Sequence, residues 1–232
     1  MFDAKKLLDQ FLGSQAGGGS GGMKRSANDV LGMAKSNPLA TGAIAAVLLG
    51  TKSGRKMAGS AVKLGGLAVI AGLGYQAYKN YKSGQPVEPT QSLPEILPPP
   101  KDSAFKIEPA AVSNDFALAL VRAMIAAAKA DGHIDQAERA RIMDKIHLSG
   151  LGSEAEAFIN AELANPTDLD AIIAAARSEE EKVEIYTASR LAIEPDTRAE
   201  RGYLDMLAGR LGLPDALIDH IEATVSSAKI SL

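Results

Sequence analysis

The chain of 232 residues contains no cysteine and no tryptophan, and only 4% of it is aromatic. Without cysteine there is no disulfide, no thiolate metal site and no cysteine nucleophile. Scarce aromatics argue against β-sheet, because strands draw on Val, Tyr, Phe and Trp. Long apolar runs are also missing. The two richest stretches, "PLATGAIAAVLLG" (38–50) and "LGGLAVIAGLGY" (64–75), both fall short of the ~20 residues needed to cross a hydrocarbon core. Two catalytic signatures are absent as well: a serine in a nucleophile elbow and a glycine-rich strand-to-helix phosphate loop.

Hydrophobic residues nevertheless make up 46% of the chain, and Ala, Leu, Ile and Gly carry that load. Such side chains suit closely packed helices. The expected class is all-α. The formal net charge of −3 conceals two different halves. Residues 1–83 hold 11 Lys and Arg against 3 Asp and Glu, whereas residues 84–232 hold 14 against 25. A basic, Gly-rich front and an acidic, Ala-rich back imply an anionic partner surface for the front. Its cations are interleaved with Gly and Ala and not with aromatics, which fits membrane lipid better than nucleic acid.

Four regions follow. Residues 1–22 comprise a short amphipathic helix, with Ala4, Leu7, Leu8 and Phe11 at helical spacing, and a Gly/Ser linker. Residues 23–83 form a Gly/Ala-rich apolar segment expected to associate with membrane as a helical hairpin or as a single span. Extending the second run to 57–78 gives that span, with Lys63 snorkelling and Tyr75, Tyr78 and Tyr81 as an interfacial belt. Small residues recur at four-residue steps (Gly42, Ala46, Gly50, Gly54; then Ala61, Gly65, Ala68 and, nearly in step, Gly72), a pattern that lets helices approach closely. Burial of the same segment within protein is the alternative. Residues 84–102 are a proline-rich linker. Residues 103–232 read as about seven helices, over 114–130, 136–148, 153–164, 168–177, 179–193, 198–211 and 214–228. Their starts are marked by Ser113, Asp135, Ser153, Thr167, Ser178 and Thr197.

Displacing this region by 62 residues aligns Glu138-Arg139 with Glu200-Arg201 and Gly150-Leu151 with Gly212-Leu213. This weak internal repeat yields two acidic corners, "DGHIDQAER" and "IEPDTRAER". Each has the spacing of a capping box, Asp135 to Glu138 and Thr197 to Glu200. The first also matches the second half of a calcium loop, but Ala127 and Lys129 stand where the leading carboxylates belong. A looser divalent-cation site, for calcium or magnesium, would gather Asp131, Asp135, Glu138, Asp196 and Glu200. His133 beside Asp135 is a weak base-and-orienter pair, and His147 and His220 stand alone. "SEEEKVE" (178–184) reads as a helix start that complements the macrodipole.

At "AAAKADGHIDQAERARI" and "RLAIEPDTRAERGYLDMLAGRLGL" the sequence resembles the TerB-like (tellurite-resistance) helical domains. Along nearly its whole length it resembles the YebE-type bacterial inner-membrane proteins of unknown function. The resemblance implies an all-helical C-terminal domain with metal-binding acidic corners, at Asp131, Asp135 and Glu138 and at Asp196 and Glu200. In the second corner "IEPD" replaces the Asp-Gly pair, which breaks a symmetric site. No enzyme activity is implied. The expected function is a membrane-anchored, non-enzymatic protein of the inner membrane with its C-terminal domain in the cytoplasm, because no secretory signal is evident. The alternative is a soluble adaptor that binds a partner or oligomerises through its Gly-rich segments. A metal-dependent hydrolase is a remote third.

Overall fold

The structure is a computed structural model and describes residues 3–13, 65–87, 98–100, 102–106, 109–132, 134, 136–148 and 150–230. Within these, helices are α1 (Ala4–Gly13), α2 (Gly65–Lys82), α3 (Asn114–Ala128), α4 (Gln136–Leu148), α5 (Ser153–Ala164), α6 (Leu169–Ala174), α7 (Glu179–Ala192), α8 (Arg198–Leu211) and α9 (Asp215–Ile230). A short 3-10 turn, Pro109–Ala111, precedes α3. The described residues contain no strand, so the all-α expectation holds.

Starts and stops follow local chemistry. Ser113 caps α3 by accepting from the Phe116 N–H, and Ser178 caps α7 through the Glu181 N–H. Each satisfies one of the orphan donors at a helix start. Two expected caps shift by one residue. Asp168, not Thr167, caps α6 by accepting from Ala171, and Gly152 precedes α5, so Ser153 is already helical. Gly150 and Gly212 turn the chain with φ of +68°, and Gly132 with +84°, a region that costs an L side chain but not glycine.

α3 and α7 pack against each other along their lengths and form the centre, and α8 and α9 pack on α7. Their apolar faces, with Leu120, Met124, Ile185, Ala188, Leu207 and Ile221, are buried. α4 and α5 form a separate pair, of which α5 also touches α3.

The main departure from expectation concerns the second apolar run. α2 does not stand apart; it packs on α1, α7 and α9. Leu67, Val69, Ile70, Leu73 and Ala77 are buried in the same core as Phe116 and Ile185. A close approach to protein occurs at Gly74, which lies outside the small-residue pattern. A Cβ at Gly74 would come 3.3 Å from Phe105 and from Val183, and 3.6 Å from Thr187. The expected interfacial belt is also a protein seam. The Tyr75 and Tyr78 rings lie 5.9 and 5.6 Å from Phe105, and Tyr81 lies 6.4 Å from His220. The Tyr78 hydroxyl donates to Glu179 at 2.9 Å. Besides α1, the apolar partners of α2 are α7 and α9 from the acidic half of the chain. Among the described residues no helix is long and apolar enough to cross a membrane. The first run (38–50), the small residues from Gly42 to Ala61, Lys63 and most of the proline linker lie outside the described residues.

α1 joins the same body. Ala4, Leu7 and Leu8 are fully buried, as the amphipathic pattern requires; the side chain of Phe11 lies outside the described set. Asn114 accepts from the Ala4 N–H at 2.9 Å, and Asp9 accepts from the Gly66 N–H at 2.8 Å. The second bond ties α1 to the start of α2.

Candidate functional site

The second acidic corner forms as its spacing dictates. The Thr197 hydroxyl accepts from the Glu200 N–H at 3.1 Å, and the Glu200 carboxylate accepts from the Thr197 N–H at 2.9 Å. Glu200 is buried in this role. Arg201 donates to the Pro195 and Asp196 carbonyls at 2.8 and 2.9 Å, closing the corner over its own backbone. Asp196 is exposed. Thr197→Ala is expected to destabilise the protein by about 0.5–2 kcal/mol, read as a lower urea midpoint; an unchanged midpoint would show the box to be energetically idle.

The first corner departs from its repeat partner. Arg139, the counterpart of Arg201, donates to the Asn160 side chain at 2.7 Å, linking α4 to α5. Lys129, at the third position of a calcium loop, donates its ammonium to the Glu162 and Asn165 carbonyls at the end of α5. There it offsets the negative end of that helix, while desolvation lowers its pKa. Ala127, at the first loop position, is buried within α3. No calcium loop of the standard kind forms here. Asp131 is exposed in the turn after α3. His133, Asp135 and the side chain of Glu138 lie outside the described residues, so the first capping box does too. Among the described residues no three acidic or histidine side chains come together as a metal site.

The two described histidines each meet one neighbour. His147 is exposed and meets Glu156 at 2.8 Å, and His220 is buried against Tyr81.

Two polar features on α7 escaped the motif search. Arg190, whose side chain is 4% exposed, donates to Glu222 at 2.6 Å, to the Ile193 carbonyl at 2.8 Å and to Ser226 at 3.0 Å. Tyr186 donates to the other oxygen of Glu222 at 2.9 Å, and burial with this carboxylate beside it raises the phenol pKa. This satisfied cluster clamps α7 to α9. Further round the helix, Ser189 and Tyr203 meet the Ala123 carbonyl at 3.3 Å; burial pushes Tyr203 up to about 12.

Glu184 is the opposite case. It is 3% exposed, and its Oε1 has no hydrogen-bond partner among the described residues. Desolvation, reinforced by Glu181 and Glu180, pushes its pKa up to about 8. A signal for both features was present: from Val183 to Ile193 the helix is apolar or small nearly all round, so charged residues within it must be buried.

No solved structure matches the chain. A relative described as an uncharacterized protein in the ampR 5′ region of Yersinia enterocolitica is 32% identical over 113 residues, which span 49% of this chain and 81% of that protein. The profile of a family described as a protein of unknown function, DUF533, matches residues 34–225. That match takes in the basic segment, α2 and the helices through to α9, and the chain therefore belongs to the DUF533 family.

Proposed function

We propose that this protein is a non-enzymatic helical scaffold that presents its basic, glycine-rich segment, residues 14–64, to an anionic membrane. The observation that carries this reading is the junction of α1 and α2. Asp9 and Gly66 are hydrogen-bonded, and both helices are packed on one acidic helical body. The intervening stretch holds seven Lys and Arg against one Asp, and it includes the apolar run 38–50. Cations attract anionic lipid at about 1 kcal/mol each near the surface, and the run adds apolar area. Because both ends are fixed to the same body, the stretch must leave and return on one side of the bilayer. The two-ended attachment favours a hairpin over the single span.

The test uses the cysteine-free chain. Lys6→Cys and Ser83→Cys each place one thiol on an exposed position. In cells both are expected to react with an impermeant maleimide from the same side, and the wild type is expected to sediment with anionic vesicles but not with neutral ones. Labelling from opposite sides overturns the hairpin; a chain left in the supernatant of anionic vesicles overturns membrane binding.

One observation favours the soluble adaptor as the second reading: the Gly74 face of α2 packs on protein. That reading expects oligomers in water that persist without lipid. A divalent cation at Asp131, Asp135, Glu138, Asp196 and Glu200 would add a further role to either. A wild-type melting temperature raised by millimolar calcium or magnesium and unresponsive in Asp131→Asn supports it; an unshifted wild-type melt overturns it.

A further inference from the structure

We infer that the α1–α2 pair is a releasable element whose docking on the rest of the fold is controlled by the protonation of Glu184. The geometry comes first. All four buried side-chain atoms that lack a hydrogen-bond partner among the described residues lie on the helices of this seam: Gln76 Oε1 on α2, Asn114 Nδ2 on α3, and Glu184 Oε1 and Thr187 Oγ1 on α7. The α7–α9 clamp and the Ser189–Tyr203 contact are by contrast well satisfied. Buried polar groups without partners are costly, so the docking of the N-terminal helices carries a polar cost that the α7–α9 clamp does not.

Glu184 sits within that interface. Val183 and Thr187 lie against Gly74 of α2, while Tyr186 and Arg190 turn to α9 and Ser189 turns to α3. At roughly 100° per residue, Glu184 falls on the arc of α7 between the α2 contact and the α3 contact. α1 packs on both α2 and α3 and closes that wedge.

Among the described residues no cation is placed to offset its charge. Glu180 and Glu181 on its own helix repel a carboxylate there. On α2, Lys82 is paired with Glu179, Lys79 is exposed and the Tyr78 phenol also serves Glu179. On α1, Lys6 is exposed, Lys5 is half-buried and Asp9 serves Gly66. On α3, Arg122 is paired with Glu162 and Asp115 is exposed. Arg190 is held by Glu222 and Glu194, and His220 lies against Tyr81. An ionised Glu184 therefore places an uncompensated charge in the seam, and the available relief is separation of α1–α2 from α7.

Hydrogen exchange of the full-length protein at pH 6, 7.5 and 9, corrected for intrinsic exchange and without lipid, tests this apart from the membrane reading. α2 amides are expected to be less protected than α8 amides at every pH and to lose protection by more than about tenfold between pH 6 and 7.5, with only a few-fold further loss by pH 9, and Glu184→Gln should hold α2 protection constant. Equal protection of α2 and α8 across the series, which would mean that both exchange by global unfolding, or α2 protection that does not fall with pH, overturns the inference. A selective loss that persists in Glu184→Gln removes Glu184 from it. If the glutamine variant fails to fold, Glu184→Leu serves as the uncharged control, and the wild-type profile still decides whether release is local.

Discussion

Glu222→Ala is expected to destabilise the protein by about 2–4 kcal/mol, more than Arg190→Met, which should cost about 1–3 kcal/mol. The asymmetry follows from which charge is left behind. The Arg190 side chain is 4% exposed, whereas that of Glu222 is 32% exposed. Removing Glu222 strands a buried guanidinium with the Ile193 carbonyl, Ser226 and Glu194, the last at 3.6 Å, and also leaves the Tyr186 hydroxyl without its acceptor. Removing Arg190 instead leaves a carboxylate that water can reach. Methionine keeps much of the apolar stem, so packing changes less than charge. Urea midpoints for both variants, at constant slope, decide the order. If Arg190→Met is the more damaging, the clamp acts by packing and not by paired charge.

The second large effect is in the pH dependence of stability. Burial, reinforced by Glu181 and Glu180, pushes the Glu184 carboxyl up to about 8, against 4.5 for an unperturbed glutamate. Its raised value means that the folded state binds the proton more tightly than the unfolded state. The stability it contributes is fully present below pH 4.5 and is lost progressively as pH rises to about 8, after which this contribution is flat. At about 1.4 kcal/mol per pKa unit, the loss across that window is on the order of 5 kcal/mol. Glu184→Gln should flatten this part of the profile, so the variant gains on the wild type as pH rises. Denaturation midpoints between pH 5 and 9 measure it. Parallel profiles for the two proteins would show that Glu184 stays ionised in the fold.

Much of the acidic half was legible from its residues. Thr197 and Glu200 specify their box because both partners lie within one helical turn, and Ser113 and Ser178 specify their helix starts in the same way. α3, α7 and α8 begin where cap and apolar period coincide. The Ser153 and Thr167 expectations slipped by one residue because Ser, Thr, Asp and Gly stand side by side there, and backbone geometry chose among them. The acidic corners were legible as corners but not as a shared site. Whether carboxylates meet depends on where distant turns fall in space, and the described part of the first corner spends Lys129 and Arg139 on α5.

The sequence by itself determined the all-helical class, the charge division and the local caps, because periodicity and capping act over a few residues. It also marked residues 64–75 as needing burial. Only the tertiary structure decided what buries them. Transfer from water favours an apolar side chain about equally in lipid or in a protein interior, so composition could not choose between the two. The choice was made by the faces of α7 and α9 and by Phe105, which meet α2 around Gly74, Tyr75 and Tyr78. The same long-range packing turned Glu184 and Arg190 from ordinary charges of a helical stretch into one strained and one satisfied buried group, since desolvation depends on neighbours that no local spacing records.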